Sequence, residues 1–255
     1  MNRLSAACLS VLCIVALSFP ASASAGMIDF AGFAHGQIMN TQYVAPFGVT
    51  VSALNEGGGP DLPIVFDSTF MGSTTDGDLL APWDAGNLAP NSYRGNLLIL
   101  AENDIDANND SIIDDPDDEG SRNAGSLYFD FANEISEVSF DLFDIESVGA
   151  EPGSIKFYKN GGVVGTVTFN DLITNNGNGF YDGSITFGNN SANRIQAIQA
   201  GDFNVSGFER VEFVLGGSGA VSNVQFESAI PEPATIALML MGIGGGVARA
   251  RRRRS

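Results

Sequence analysis

The stretch LYFDFANEISEVSFDL, residues 127–142, decides the fold class. Its apolar residues recur at every second position in two runs: Leu127, Phe129 and Phe131, then Val138, Phe140 and Leu142. Successive side chains of a β-strand point to opposite faces, so this period is typical of strands with one buried face. The stretch therefore predicts two short strands on either side of residues 132–137.

Outward from this stretch, short apolar runs continue in both directions, and no segment shows a long helical stripe. Further strands are predicted at 48–54, 64–66, 96–101, 155–158, 163–169, 184–187, 211–215 and 224–226. Asn160-Gly161 between two alternating runs predicts a two-residue hairpin. About ten short strands separated by glycine-rich turns predict an all-β fold, a single jelly-roll-like β-sandwich.

The N-terminus has the features of a secretory signal peptide. Arg3 supplies a positive charge, an apolar stretch follows over residues 6–19, and Pro20 ends it. Small residues at Ala23 and Ala25 precede Gly26, which is the pattern of a cleavage site. We expect residues 1–25 to be the signal peptide and the mature chain to begin near Gly26.

The C-terminus has three ordered parts within residues 229–255. The box Pro231-Glu232-Pro233 is followed by an apolar segment at 234–248 and a basic end at 249–254. The apolar segment is short against the roughly 20 residues of a usual membrane span. The terminal arginines favour the cytoplasmic side, so the segment would hold the exported domain at the inner membrane in transit.

This tail resembles the PEP-CTERM sorting tail of Gram-negative bacteria. The resemblance implies that an exosortase-type processing enzyme recognises the box and removes the tail, often in bacteria that make exopolysaccharide. A plain tail anchor is the alternative. The resemblance implies routing to the cell surface or extracellular matrix, and it leaves the chemistry of the domain open.

Residues 26–228 remain as one domain with room for a continuous core. Both cysteines, Cys8 and Cys13, lie in the signal peptide, so the exported domain has no disulfide. The whole chain has a net charge of −18, and half of its basic residues lie in the two ends. This balance excludes nucleic acid as a partner and disfavours anionic membrane surfaces. Divalent cations are the natural partners of such a domain.

An acidic insertion at 103–123 is too long for an ordinary hairpin loop. Oxygen-bearing side chains alternate through it and continue to its end: Asp104, Asp106, Asn108, Asp110, Asp115, Asp117, Asp118 and Glu119. Calcium takes six to eight oxygen ligands, and the spacing matches an EF-hand-like loop that starts at Asp104 and has Asp115 at position 12. Asn109 would then stand where the EF-hand has glycine.

Residues 106–118 also resemble the aspartate-rich calcium repeats of thrombospondin-type and dockerin-like proteins. A weaker set, Asp76, Asp78 and Glu102, could join Asp117 or Asp118 around one structural ion. The sequence thus predicts calcium as a cofactor. The alternatives are a solvated acidic loop at 103–123 and an Asx-type turn at Asp76.

The sequence gives little support for a catalytic site. His35 is the only histidine, no nucleophile-elbow motif is present, and no cysteine or second histidine is available for zinc. A glycoside hydrolase needs two carboxylates, but nothing in the spacing singles out a pair. We therefore expect no enzymatic activity.

Carbohydrate binding is the main functional alternative, with extracellular polysaccharide as the partner. Jelly-roll domains commonly bind sugars through aromatic residues in loops, and Trp83 and Tyr93 are the best placed, with Tyr43 and Tyr181 in similar contexts. A tryptophan that packs over the core as a lid is the competing interpretation of Trp83. The prediction as a whole is an exported, calcium-stabilised surface protein.

Overall fold

A computed structural model describes residues 25–88 and 95–229, which fall within one compact unit, Ala23–Ala229. Ten strands make up most of it: β1 Ala25–Ile28, β2 Val49–Asn55, β3 Pro63–Asp67, β4 Asn96–Leu100, β5 Gly125–Phe143, β6 Ser154–Lys159, β7 Gly162–Thr168, β8 Ala192–Gln199, β9 Phe208–Leu215 and β10 Ala220–Ser228. Two short helices, α1 Val44–Phe47 and α2 Phe169–Ile173, and two 3₁₀ turns, Gly77–Leu79 and Ala200–Phe203, lie between them. The prediction of an all-β sandwich is confirmed.

The strand β5 takes part in both layers of the sandwich. Its first part, from Gly125 to Phe131, pairs with β2 and β9, and β9 continues to β6 and β7. Its second part, from Ile135 to Phe143, pairs with β8 and β10. We name the first layer sheet I (β7-β6-β9-β5-β2) and the second sheet II (β3-β4-β10-β5-β8, with β1 beside β10).

A register shift between Asp130 and Ile135 separates the two parts of β5. The sequence analysis expected two strands here, and the structure has one strand of 19 residues. Ala132 and Asn133 at the shift are exposed, which breaks the buried alternation without ending the strand. The exposed residues at this shift therefore mark the point where β5 leaves one sheet and enters the other, instead of a turn between two strands.

The main core fills the space between the two sheets. Phe129 and Phe213 of sheet I are both fully buried, and their rings meet edge to face with centroids 5.6 Å apart. Phe213 also meets Phe140 of sheet II edge to face at 4.7 Å. These edge-to-face contacts join the inner faces of the two layers, as expected for alternating apolar residues in a β-sandwich.

A second core covers the outer face of sheet II. Side chains of β3 and β4 point there, and loop residues such as Leu79, Trp83 and Ile113 pack onto them. The run Leu97–Leu100 is apolar at every position because alternate residues enter the two cores, Leu98 inward and Leu97 outward. The long loops of the chain are thus held against a sheet face.

Apart from the single long β5, the local strand predictions hold except at 184–187, and β1 and β8 were not predicted. Asn160 and Gly161 both have positive φ and connect Lys159 to Gly162, which confirms the predicted two-residue hairpin. The strand predicted at 184–187 is wrong, because that segment is irregular. Strand β8 was missed because a bulge opposite Val138 and Phe140 spaces its buried residues Ile195 and Ile198 by three positions.

In the described ranges no helix is both long and apolar enough to cross a membrane. The predicted signal peptide and sorting tail lie outside those ranges, except for Ala25 and Ala229 at their edges. Ala25 is the first residue of β1 and pairs with Glu227 of β10. The two ends of the domain therefore lie side by side.

Replacing Phe140 with alanine should lower the free energy of unfolding by about 3–5 kcal/mol, because a cavity replaces a ring that both sheets contact. Val163→Ala, at a β7 side chain that is half exposed, is the matched control and should stay within about 0.5 kcal/mol of the wild type. Urea unfolding measures both. Equal effects of the two substitutions would contradict the placement of Phe140 between the sheets.

Candidate metal centre

Three aspartates meet where two long loops close over sheet II. Asp76 lies in the β3–β4 connection, directly before the 3₁₀ turn, and Asp117 and Asp118 end the acidic insertion before β5. One carboxylate oxygen from each lies within 4.8 Å of the others, and this is the one such group of three or more His, Cys, Asp or Glu ligands in residues 25–88 and 95–229. Asp76 and Asp118 are buried. This buried acidic cluster could hold a metal ion.

The backbone around Asp118 fixes this arrangement. Residue 118 bridges to Ala101 at the end of β4, and its N–H donates to Oδ2 of Asp76 at 2.8 Å. Its own Oδ2 accepts hydrogen bonds from the Ser218 hydroxyl at 2.7 Å and the Gly219 N–H at 2.6 Å. The β9–β10 turn is thereby tied to both long loops.

A fourth aspartate, Asp144, belongs to the same environment. It follows β5 directly, is fully buried, and its Oδ2 accepts from the Ser218 hydroxyl at 3.0 Å. Its Oδ1 accepts the N–H of Asn190 at 2.6 Å. Ser218 therefore bridges Asp118 and Asp144, and four separate connections of the chain converge on one acidic cluster.

Sequence reasoning missed Asp144 and Ser218. Asp144 directly follows the apolar pair Leu142-Phe143 at the end of β5, and Ser218 stands in a Gly-Gly-Ser-Gly turn, so each has an ordinary local explanation. The one sequence feature that could have indicated Asp144 is its position directly after the longest alternating stretch. Its partners are 26 or more residues away along the chain.

The described part of the chain offers no basic side chain to neutralise this cluster. Its five lysines and arginines all pair with other carboxylates: Arg122 with Glu146 and Glu151, Lys156 with Glu212, Lys159 with Glu134, Arg194 with Asp141, and Arg210 with Asp130. Buried charges are stable when they are paired or coordinate a metal, and otherwise they take up a proton. Among the described residues, therefore, only a bound proton or cation could neutralise the cluster.

The pKa values of Asp76, Asp118 and Asp144 are raised, which favours their protonated forms. Burial raises the pKa of Asp76, and the charge of Asp118 raises it further. Burial also raises the pKa of Asp118, although hydrogen bonds from Ser218 and Gly219 oppose it. For Asp144, burial raises the pKa from 3.8 to about 7 against the hydrogen bond from Asn190. A divalent cation at this place would reverse these shifts by favouring the ionised forms.

The acidic insertion curls around Asp106. Its Oδ1 accepts the N–H of Asp110 at 3.1 Å and its Oδ2 accepts the N–H of Ser111 at 2.9 Å. Asn108 Oδ1 also accepts from Asp110, and Asp110 Oδ1 accepts from Ile112. Asp104 and Asp115 are exposed and form no side-chain hydrogen bond within residues 25–88 and 95–229. The predicted starting residue, Asp104, is thus not where the loop turns.

The hydrogen bonds to the Asp106 carboxylate favour a register two residues later. With Asp106 at position 1, Asn108 and Asp110 stand at positions 3 and 5, and Ser111 stands at position 6, where the EF-hand has glycine. Ser111 has φ 67°, and Asn109, which is position 6 in the register from Asp104, has φ 60°, so both registers meet the left-handed requirement of that position. Position 12 becomes Asp117, which is also a member of the buried acidic cluster.

Other predicted ligands are placed differently. Glu119 is buried, and its carboxylate accepts hydrogen bonds from Asn55 and Ser121 at 2.9 Å each. Burial alone would raise its pKa, but these bonds lower it below the ordinary value. Glu119 therefore secures the loop after β2, and it lies outside the group of three aspartates. Asp78 and Glu102 lie near the cluster but outside the group of three.

The aromatic residues expected to contact sugars do not form an exposed platform. Trp83 is 1% exposed and packs on Phe143, with ring centroids 4.8 Å apart. A buried indole offers no face to a pyranose, so the prediction for Trp83 is corrected in favour of a lid over the outer core. Tyr43 is also buried, and Tyr93 lies outside the described residues.

His35 has a structural role. Its Nδ1 accepts the N–H of Asp67 at 3.0 Å, and its ring stacks on Phe70 at 4.1 Å. Burial lowers its pKa, partly opposed by the charge of Asp67. The imidazole is thus held neutral against the β3–β4 connection.

A protein-family model adds the routing information. It describes a PEP-CTERM protein-sorting motif and matches residues 229–254. The chain thus carries a PEP-CTERM sorting motif at residues 229–254. The motif marks an exported protein and implies processing by an exosortase-type system after membrane-anchored transit. The match covers the tail, so it says nothing about the acidic cluster.

Other comparisons give less. No curated protein matches this PEP-CTERM chain. Among solved structures, the K2 cleaved adhesin domain of Lys-gingipain (Kgp) is similar at 13% identity, with 80% of this chain and 99% of that chain covered and a TM-score of 0.37. At that score the likeness says nothing about ligands or partners.

Without metal, Asp144 should make the protein less stable as pH rises. Its folded pKa of about 7 lies above its ordinary value of 3.8, so the folded state holds a proton that the unfolded chain has lost. The contribution is complete below about pH 4 and is lost as pH rises through about 7. Asp144→Asn should reduce this loss.

Chemical unfolding in chelator, from about pH 5 to about pH 8, tests this by comparing slopes of unfolding free energy against pH. Asp84→Asn, at an exposed aspartate with no side-chain hydrogen bond in the described ranges, is the matched control. Parallel profiles for the wild type and Asp144→Asn would show that Asp144 is not protonated in the folded protein.

Proposed function

We propose that this protein is a non-enzymatic component of the cell surface or extracellular matrix whose β-sandwich is stabilised by calcium. The observation that carries the proposal is the buried group Asp76, Asp117 and Asp118, which has no basic partner among the described residues. Calcium prefers carboxylate and carbonyl oxygens and tolerates irregular geometry. Zinc and the softer metals favour histidine and cysteine, which are absent from this group.

The acidic insertion extends the proposal to a shared calcium-binding region. In the register that starts at Asp106, the side chains of Asp106, Asn108 and Asp110 and the carbonyl of Ile112 supply oxygen ligands. Asp117 closes this loop at position 12 and also belongs to the buried cluster. One residue would thus connect two adjacent ions, which explains why the insertion ends directly beside the cluster.

Calcium would act here as a disulfide acts in other exported proteins. The mature domain has no cysteine, and its long connections are held by carboxylates that repel one another. An ion that binds only the folded state stabilises it in proportion to the logarithm of its free concentration. Extracellular modules commonly bind calcium with dissociation constants of about 10⁻⁴–10⁻³ M, which suits an exported protein.

Calcium should raise the melting temperature of the purified protein by about 5–10 °C at saturating concentration relative to chelator. Asp118→Asn should remove most of this rise because Asp118 is a buried ligand. Differential scanning calorimetry at constant ionic strength measures the effect, with magnesium in place of calcium to separate site binding from screening. No rise with calcium would refute the metal proposal.

Two neighbouring substitutions test the register of the loop. Asp106→Asn should weaken the calcium-dependent rise, because Asp106 is the first ligand and the residue around which the loop curls. Asp104→Asn removes the same charge two residues earlier and should leave the rise unchanged. Isothermal titration then counts the ions bound. The reverse order of effects would place the start of the loop at Asp104.

The routing part of the proposal concerns the two ends of the chain. Residues 1–25 are proposed to be removed as a signal peptide, and an exosortase-type enzyme is proposed to act at Pro231-Glu232-Pro233. The apolar segment 234–248 and basic end 249–254 would hold the domain at the inner membrane until then. The box lies three residues beyond the end of β10 at Ser228, so processing would occur next to the folded domain.

Alanine at Pro231, Glu232 and Pro233 should leave the protein uncleaved in the inner-membrane fraction. Mass spectrometry of the membrane and released fractions measures the C-terminus, and Ser228→Ala is the nearby control that leaves the box intact. Release of the altered protein at the wild-type level would show that the box does not direct processing.

A further inference from the structure

We propose that a cleft beside the edge strand β8 binds a pyranose oligosaccharide that carries no acidic groups. The cleft has a volume of about 590 Å³ and lies between residues 179–183 and the strand residues 196–199. That volume is within the range of small-molecule sites, about 300–1,000 Å³. The proposal goes beyond the calcium site, because none of the cluster aspartates lines this cleft.

Tyr181 supplies the stacking surface. Its side chain is 42% exposed, in contrast to the buried Trp83. A Cβ placed on Gly183 would lie 2.9 Å from Tyr181 Oη, so the tyrosine side chain lies close over the glycine backbone. A partly exposed aromatic ring suits the apolar C–H face of a pyranose, and the Tyr181 hydroxyl remains available for hydrogen bonds.

The loop that carries Tyr181 is built before any ligand arrives. Asn176 and Asn178 each donate to Oδ1 of Asp171, at 3.0 and 2.8 Å. The N–H of Asp182 donates to the carbonyl of Leu172 at 2.9 Å. Phe180 stacks on Phe203 with centroids 5.8 Å apart. A preorganised platform loses little conformational entropy on binding.

Free polar groups surround this platform. Asp182 uses only Oδ1, toward Ser184, and Asp202 uses only Oδ2, toward the N–H of Gln199. Within the described ranges the second oxygen of each carboxylate and the amide of Gln196 have no hydrogen-bond partner. Carboxylates accept from sugar hydroxyls, and an amide both donates and accepts.

The charge of the cleft decides which sugars fit. Asp182 and Asp202 line it, and no lysine or arginine does. The chain as a whole has a net charge of −18. Uronic acids and sulfated sugars would be repelled, whereas neutral sugars would not. The floor, from Leu172, Ile185, Ile195 and Ile198, is apolar and suits a ring more than a small hydrated ion.

Isothermal titration of the full protein tests this with cellohexaose, maltohexaose, mannohexaose and N-acetylchitohexaose, and with hexagalacturonate as the acidic counterpart. At least one neutral hexaose should bind and hexagalacturonate should not. Tyr181→Ala should weaken that binding about tenfold, and Tyr181→Phe should retain most of it because the ring remains. Val163→Ala, at an exposed β7 side chain, should have no effect.

Three results would overturn the proposal. The first is that no neutral hexaose binds at millimolar concentration. The second is equal binding of hexagalacturonate. The third is a concentration-dependent dimer in sedimentation that Tyr181→Ala abolishes, with no hexaose bound, which would make the β8 edge a strand-pairing surface for a second copy. Titrations in calcium and in chelator, with folding monitored by circular dichroism, separate this outcome from failure of the calcium site.

Discussion

The 19 residues of β5 pair with two strands in each layer, and the rest of the fold is arranged around this one shared strand. Because the strand is continuous, the two sheets cannot shift independently, and the edge-to-face contacts of Phe213 with Phe129 and Phe140 fix their separation. Because buried and exposed side chains alternate along β5, a slip of one residue in its pairing would turn every apolar side chain to the wrong face. The strand therefore sets both the register and the packing of the sandwich.

The same strand determines where the acidic cluster lies. Asp118 lies in the segment that leads into β5, Asp144 directly follows β5, and β10 begins after the turn that contains Ser218. The hydroxyl of Ser218 contacts both aspartates, although the two residues flank a strand of 19 residues. The loops that cover the outer face of sheet II bring in Asp76 and Asp117. Covering an apolar sheet face thus concentrates carboxylates at one end of the domain.

Burying several carboxylates close together costs free energy, which the protein must offset. The described lysines and arginines are paired elsewhere, and burial raises the pKa values of Asp76, Asp118 and Asp144. A proton or a divalent ion can neutralise the cluster, and only the ion also cross-links the loops. For an exported domain without cysteines, stability would then follow the calcium concentration outside the cell instead of the redox state.

The sequence by itself determined the features that depend on local order. The period of two at 127–142, the Asn160-Gly161 hairpin and the three-part tail at 229–254 are all patterns of neighbouring residues, and each was confirmed. It also indicated that Asp76 and Asp117 or Asp118 could share one ion, because Asp76 and Asp78 alternate on a turn, with an Asx-type turn as the alternative. It could not choose among them.

Only the tertiary structure decided the rest, because burial and long-range proximity are not properties of a local pattern. Trp83 and Tyr181 both stand in loop segments, yet Trp83 is buried against Phe143 and Tyr181 is exposed. A bulge hid β8, and the loop hydrogen bonds gather around Asp106, two residues after the predicted start at Asp104. Asp144 and Ser218 joined the cluster because strands distant in sequence end at the same place.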